Sequence, residues 1–161
     1  MKYGIKRRWI LVGAVLLAFG IPSTVPASDD PVALVRDVYS RAATLGANAL
    51  PERDFLALLS AELRKAWQLR GKPAGNGAGV RTAVFGPGAG AGRSVAVQRV
   101  TNIPGLPKER IVAVEFTSGT EARQVFVHLA PDAGRWTIVN IIYDEGDDFR
   151  QSAERFAKAA G

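Results

Sequence analysis

The hydrophobic period of this chain changes once, and that change limits the folds open to it. Before residue 71 apolar side chains recur at helical spacing; beyond residue 93 they alternate, as in half-buried strands. Asp30 followed by Pro31 predicts a capped helix start, and Val32, Val35, Val38, Tyr39, Ala42 and Leu45 continue it to a stop at Gly46. A second helix is expected near Pro51, burying Phe55, Leu56, Leu58 and Leu59. Ser60 reads as a fresh N-cap, making residues 61–70 a separate short helix with Leu63, Ala66 and Trp67. Downstream, strands are expected over 93–102 (Val95, Val97), 110–117 (Val112, Val114, Phe116), 121–129 (Val125, Val127, Leu129) and 135–143. Ser118-Gly119 and Pro131-Asp132-Ala133-Gly134 mark turns. The last strand carries Trp136 and Ile138 on one face and Val139 and Ile141 on the other, the pattern of a central strand covered on both sides. Asp147-Asp148 then caps a final amphipathic helix through Phe149, Ala153 and Phe156. Helices first and an antiparallel meander afterwards predict an α+β domain.

Between the two regimes, glycine and alanine dominate residues 71–92, with Val80, Val84 and Phe85 the only sizeable apolar residues. Such composition disfavours regular structure through backbone entropy, so a flexible loop is expected, with at most a brief strand over 82–85. The N-terminus differs again. Lys2, Lys6, Arg7 and Arg8 precede an almost wholly apolar run over 9–20, and small residues stand at Val25 and Ala27. This is the pattern of a signal peptide over residues 1–27, cut after Ala27 to leave a single domain over 28–161. The apolar run is too short for a membrane span, which needs roughly 20 residues. Arg7-Arg8 fits a twin-arginine export signal poorly because of its neighbours Lys6 and Trp9. The expected location is periplasmic or secreted.

Removing the leader lowers the formal charge from +6 to about +2, because four basic residues and no acid lie in it. The high isoelectric point therefore gives no ground for nucleic-acid binding. The chain has no cysteine. Disulfides cannot staple the domain, and no lipidated cysteine can tether it, so no membrane anchor is expected after cleavage.

The order of these elements resembles the nuclear-transport-factor-2-like superfamily, whose cystatin-like cone packs helices into a strongly curved sheet. The residues that carry the resemblance are Gly134-Arg135-Trp136-Thr137-Ile138-Val139-Asn140-Ile141-Ile142-Tyr143, similar to the Trp-x-Ile-x-x-Ile ending of the last strand in such domains. With the leader and the paired helices, the chain is similar to a family of small exported bacterial proteins of unknown function within that superfamily, over roughly residues 30–156. The resemblance implies N-terminal helices packed on a curved antiparallel sheet, a cone shape and a C-terminal helix. It does not imply a chemistry, since one cone hosts enzymes, binding modules and assembly domains.

Few residues suggest chemistry. His128, the only histidine, faces away from Val127 and Leu129 and has no carboxylate near it in sequence, so a partly exposed structural role is expected. Asp144, Glu145, Asp147 and Asp148 lack the alternation of a calcium loop, and helix capping explains the last two. Residues 86–94 depart from a phosphate loop: Pro87 stands at the first glycine position, arginine replaces lysine, and a strand follows. Arg64, Lys65, Arg70, Lys72 and Arg81 suit a solvated helix end, with an anionic surface as the sharper alternative. Tyr39, Phe55, Trp67, Trp136, Ile138 and Tyr143 either line the pocket of a cone or fill its core. Glu115, on the side of Ile111 and Ala113, is the one acid with a claim to an inward position. No catalytic residue, metal ligand or cofactor is expected. The expected role is a non-enzymatic binding domain of the bacterial envelope for a protein partner or small apolar ligand. A periplasmic lipid carrier and an acid/base enzyme using the pocket are its rivals, and an open sheet face would allow a homodimer.

Overall fold

The computed structural model describes residues 29–46, 50–69, 84–86, 93–118, 120–143 and 146–152. Three helices, α1 (Pro31–Leu45), α2 (Glu52–Leu58) and α3 (Ala61–Leu69), precede four strands, β1 (Ser94–Ile103), β2 (Leu106–Ser118), β3 (Glu121–Asp132) and β4 (Arg135–Tyr143). The strands form one antiparallel sheet in the order β1-β2-β3-β4, and a short helical turn begins at Phe149. The fold is thus α+β, with helices packed on a four-stranded antiparallel sheet.

Local chemistry sets the helix ends. The Asp30 carboxylate accepts from the Val32 amide at 2.9 Å, with Pro31 in the first turn, and the Gly46 amide closes α1 on the Ala42 carbonyl at φ +56°. The α1 face carries Leu34, Val35, Val38, Tyr39 and Ala42 into the core, whereas Leu45, expected on that face, is exposed. Ser60 Oγ accepts from the Leu63 amide and starts α3. Arg64 then reaches back, donating to the carbonyls of Leu56 and Leu59, both at 3.0 Å. The guanidinium thus caps the Leu59 carbonyl and adds a second donor to the Leu56 carbonyl, which also accepts from the Leu59 amide.

The sheet departs from expectation in two places. Pro104-Gly105 forms a tight turn, with Gly105 at φ +82° and Ile103 paired with Leu106, so β2 begins before the expected residue 110. At the other hairpin β3 continues to Asp132, and the connection is Ala133-Gly134, with φ +48° and +79°. Positive φ at both central residues is the primed turn that matches strand twist.

A further correction concerns β4. Its apolar residues on both faces suggested a central strand, yet β4 is an edge of the sheet. What covers it is chain from outside the meander. Leu59 forms an isolated parallel bridge with Ile138, and the Ser60 amide donates to the Ile138 carbonyl at 2.9 Å. Asp148 bridges Ile142, and the Tyr143 amide donates to the Asp147 carbonyl at 3.0 Å. These segments do the work of a fifth strand, so the edge is shielded without being interior.

One face of the sheet meets the helices. Val112, Val114, Phe116, Val125, Val127, Leu129, Ile138 and Ile141 point into the core from the strands. Against them a continuous series of aromatic contacts runs Phe116–Tyr39–Phe85–Phe55–Trp67–Phe149, with ring centroids 4.7–5.9 Å apart. It ties β2, all three helices, the 84–86 segment and the C-terminal turn into one core.

Candidate functional site

The candidate site is the middle of that aromatic series, where Tyr39 of α1 meets the end of β4. Tyr39 sits four residues after Val35 and is fully buried, its ring 5.4 Å from Phe116 and 5.5 Å from Phe85. Its hydroxyl has no hydrogen-bond partner among the described residues. Burial, and secondarily the neighbouring Tyr143 phenol, push the Tyr39 pKa well above its ordinary value. Tyr143 ends β4 and donates through its hydroxyl to the Val84 carbonyl at 2.7 Å. Its pKa is also raised, first by burial and then by the negative charges of Asp148 and Asp147. Both phenols therefore stay protonated, and both are donors.

Residues 84–86, which belong to the glycine- and alanine-rich stretch, close this site. The expected brief strand is absent here: Val84 and Phe85 form a turn, and all three residues are buried. Phe85 is fully enclosed, with its ring 5.9 Å from Phe55. Gly86 stands at φ +131°, and a Cβ there would lie 2.9 Å from Val125 and 3.2 Å from Phe116. Only glycine fits that close approach. The rest of residues 71–92, expected to be flexible, lies outside the described residues.

The six residues singled out from sequence all belong to or pack against one core cluster, but they do not converge on one point. Tyr39 and Tyr143 meet the same short segment, at Phe85 and Val84 respectively, Phe55 and Trp67 continue the series, and Ile138 bridges Leu59. Trp136 is at the far end of β4, roughly 20 Å from Tyr143 at the rise of a strand. Its indole N–H donates to the Asp29 carbonyl at 2.9 Å, which pins the entrance to α1, and the Arg110 guanidinium lies 6.0 Å from its ring centroid. Trp136 is therefore a fastening of the first helix and stands apart from the tyrosine pair.

The expectation that His128 lacks a carboxylate partner is corrected. Glu109 on β2 meets His128 Nε2, although 19 residues separate them in sequence. The β2–β3 register places Ile111 opposite His128, so Glu109 is one step along the same face. Both side chains are about one quarter exposed, on the sheet face turned away from Val127 and Leu129. Glu115 is on that face too, opposite Gln124, and does not enter the aromatic core. Asp148 caps the C-terminal turn by accepting from the Gln151 amide at 2.7 Å, in keeping with the capping role. Asp144, Glu145, Arg70, Lys72 and Arg81 lie outside the described residues; Lys65 is exposed, while Arg64 is committed to α2. No group of three or more metal-ligating side chains occurs among the described residues.

No protein-family model matches the chain, and no curated protein matches it. Among solved structures it is similar to a phospholipid-binding protein from Ralstonia solanacearum, in complex with a phospholipid. Identity is 13%, the match covers 80% of this chain and 70% of that one, and the TM-score is 0.37. A superposition that loose carries no argument about ligand or mechanism.

Proposed function

We propose that this chain is an exported, non-enzymatic binding domain that holds a small apolar ligand within the aromatic core between α1 and the sheet. The observation that carries the reading is the Tyr39 hydroxyl, fully buried and without an acceptor among the described residues. An unpartnered buried hydroxyl costs about 1–3 kcal/mol. Phenylalanine would fill the same space without that cost. A hydroxyl there is a donor for an acceptor that arrives with a ligand. The aromatic rings around it supply the apolar enclosure typical of small-molecule sites. In this reading residues 1–27 are the leader, supported by their basic-then-apolar order, and the helices and sheet form the cone of the superfamily that the last strand resembles.

Native mass spectrometry of the mature protein, recovered from the envelope of cells that make it, tests the proposal. The expected result is an N-terminus at Ser28 and a bound small molecule that the Tyr39→Phe variant loses. A phospholipid mass would select the carrier form of the same reading, and a protein partner would displace the ligand from its centre. A bare protein with an intact leader would refute it.

The His128–Glu109 pair favours a second reading, acid/base catalysis on the opposite sheet face, because a carboxylate there orients an imidazole. That site has no enclosure comparable to the aromatic core. Loss of a measurable hydrolytic or isomerising activity in His128→Gln, with ligand binding intact, would establish it.

A further inference from the structure

We propose that the tip of the β1–β2 hairpin docks this protein on a bilayer surface that carries anionic lipid. The tip is separate from the aromatic core, and its role does not depend on the ligand reading. Ile103-Pro104-Gly105-Leu106-Pro107 is a run of five residues without a polar side chain, set where the chain reverses direction. Surface turns are ordinarily polar. The β3–β4 turn, at the same end of the sheet, follows that habit, with Asp132 opposite Arg135 where the β1–β2 turn has Ile103 opposite Leu106. Residues 98–102 and 104–108 are all exposed. Val100 and Leu106 are two of the four large apolar side chains exposed among the described residues. The arm has no support from β3, whose pairing with β2 begins only at Arg110. It is nonetheless held in shape, because the Arg110 guanidinium donates to the carbonyls of Pro107 and Glu109, each at 2.7 Å.

Shape and charge select a bilayer as the occupant. A two-residue turn is convex and offers few side chains, whereas a stable protein interface takes about 800 Å² from each partner. An interfacial segment needs only enough apolar surface to enter the headgroup and acyl boundary, about 5–10 Å deep. Pro104 and Pro107 lack a backbone N–H, so the tip brings two fewer donors to desolvate. Behind the apolar residues, Arg99 stands on one strand and Lys108 and Arg110 on the other. Long cations so placed keep their stems along apolar surface and carry their charge to lipid phosphates. The one acid of the arm, Glu109, meets His128. The other acids at this end are offset where they stand: Asp132 is opposite Arg135, and Asp29 and Asp30 lie at the positive end of α1.

Co-sedimentation with vesicles tests the proposal, using phosphatidylcholine alone and an equal mixture of phosphatidylcholine and phosphatidylglycerol. Wild type is expected to bind the mixed vesicles more tightly than the neutral ones. Val100→Thr/Leu106→Gln should weaken binding to the mixed vesicles by about tenfold, since two half-exposed aliphatic side chains are lost from the contact. Lys108→Gln should weaken it by about fivefold on mixed vesicles and leave the neutral ones unaffected. Because the chain has no cysteine, one introduced thiol gives a single place for a polarity-sensitive fluorophore. A label at Pro104→Cys should shift to the blue on mixed vesicles, and one at Asp132→Cys in the neighbouring turn should shift less. Absence of vesicle binding overturns the proposal, and so does equal binding by wild type and both variants. A blue shift at 132 without one at 104 overturns it even if the variants fold poorly. A shift at 104 that grows with protein concentration in lipid-free buffer places a second copy on the tip and overturns the bilayer as occupant.

Discussion

Replacing Tyr39 by phenylalanine should stabilise this protein, although the residue is fully buried and trimming a buried side chain ordinarily destabilises. The substitution removes one oxygen and keeps the ring contacts to Phe85 and Phe116. The lost oxygen has no partner among the described residues, so no hydrogen bond is broken, and the desolvation cost of about 1–3 kcal/mol is relieved. Allowing for the small void left behind, a net gain of about 1–2 kcal/mol is expected. Tyr143→Phe provides the contrast. It breaks a 2.7 Å bond and leaves the Val84 carbonyl open, so a loss of about 1–2 kcal/mol is expected. Urea titration of the mature domain, followed by circular dichroism and tryptophan fluorescence, measures both. With a slope of about 1–1.5 kcal/mol per molar, the two midpoints should move in opposite directions by roughly 1 M each. Equal destabilisation by the two substitutions would show that Tyr39 is hydrogen-bonded in solution. The argument for a waiting donor would then fail.

Alkaline unfolding follows from the same phenols. Their folded pKa values lie above the ordinary 10.0, so their stabilising effect is full below that pH and is lost as pH rises from about 10 toward the folded values. Each should contribute up to about 1.4 kcal/mol per pH unit in that window, and titration in Tyr39→Phe should show about half the wild-type slope. At the β3–β4 turn, Ala133→Gly should raise stability by about 1 kcal/mol, because alanine at φ +48° bears the left-handed strain that glycine avoids; a lower melting temperature would contradict it. Gly86→Ala should destabilise by about 2–4 kcal/mol through positive φ and the 2.9 Å approach to Val125. A neutral result in chemical denaturation would mean that the 84–86 segment is not seated as described.

The local signals were legible and the long-range ones were not. Asp30 with Pro31, and Ser60 before Leu63, announce helix starts because a cap acts within a turn. The alternation of Val112, Val114 and Phe116 with Val125, Val127 and Leu129 likewise fixes which strand faces share the core. By contrast, the expectation that Ile138 and Ile141 lie on opposite faces of β4 is corrected: an extra residue at Val139 in the β3–β4 register turns both into the core, and what β4 meets along its free edge is Leu59 and, further on, Asp148. The Glu109–His128 pairing is hidden because β2 begins at Leu106, which puts Glu109 inside a strand expected to start only at residue 110. The burial of residues 84–86 was hidden by composition: two apolar residues among glycines give no period to read. Whether Tyr39 lines or fills the core turns on a hydroxyl's partners, which no sequence pattern encodes.

The fastening of Trp136 to Asp29 spans 107 residues, and Leu59 reaches Ile138 across a comparable length. Synthesis delivers α1, α2 and α3 first, while the strand they lean on comes near the end. At about 5–20 residues per second, the newborn helices wait on the order of ten seconds with their greasy sides uncovered. The meander itself can zip up by neighbouring hairpins once made, so the slow event is the return of the N-terminal third to a finished sheet. A ribosome-bound chain arrested before Arg135 is therefore a client for a holding chaperone, and one released past Tyr143 is not.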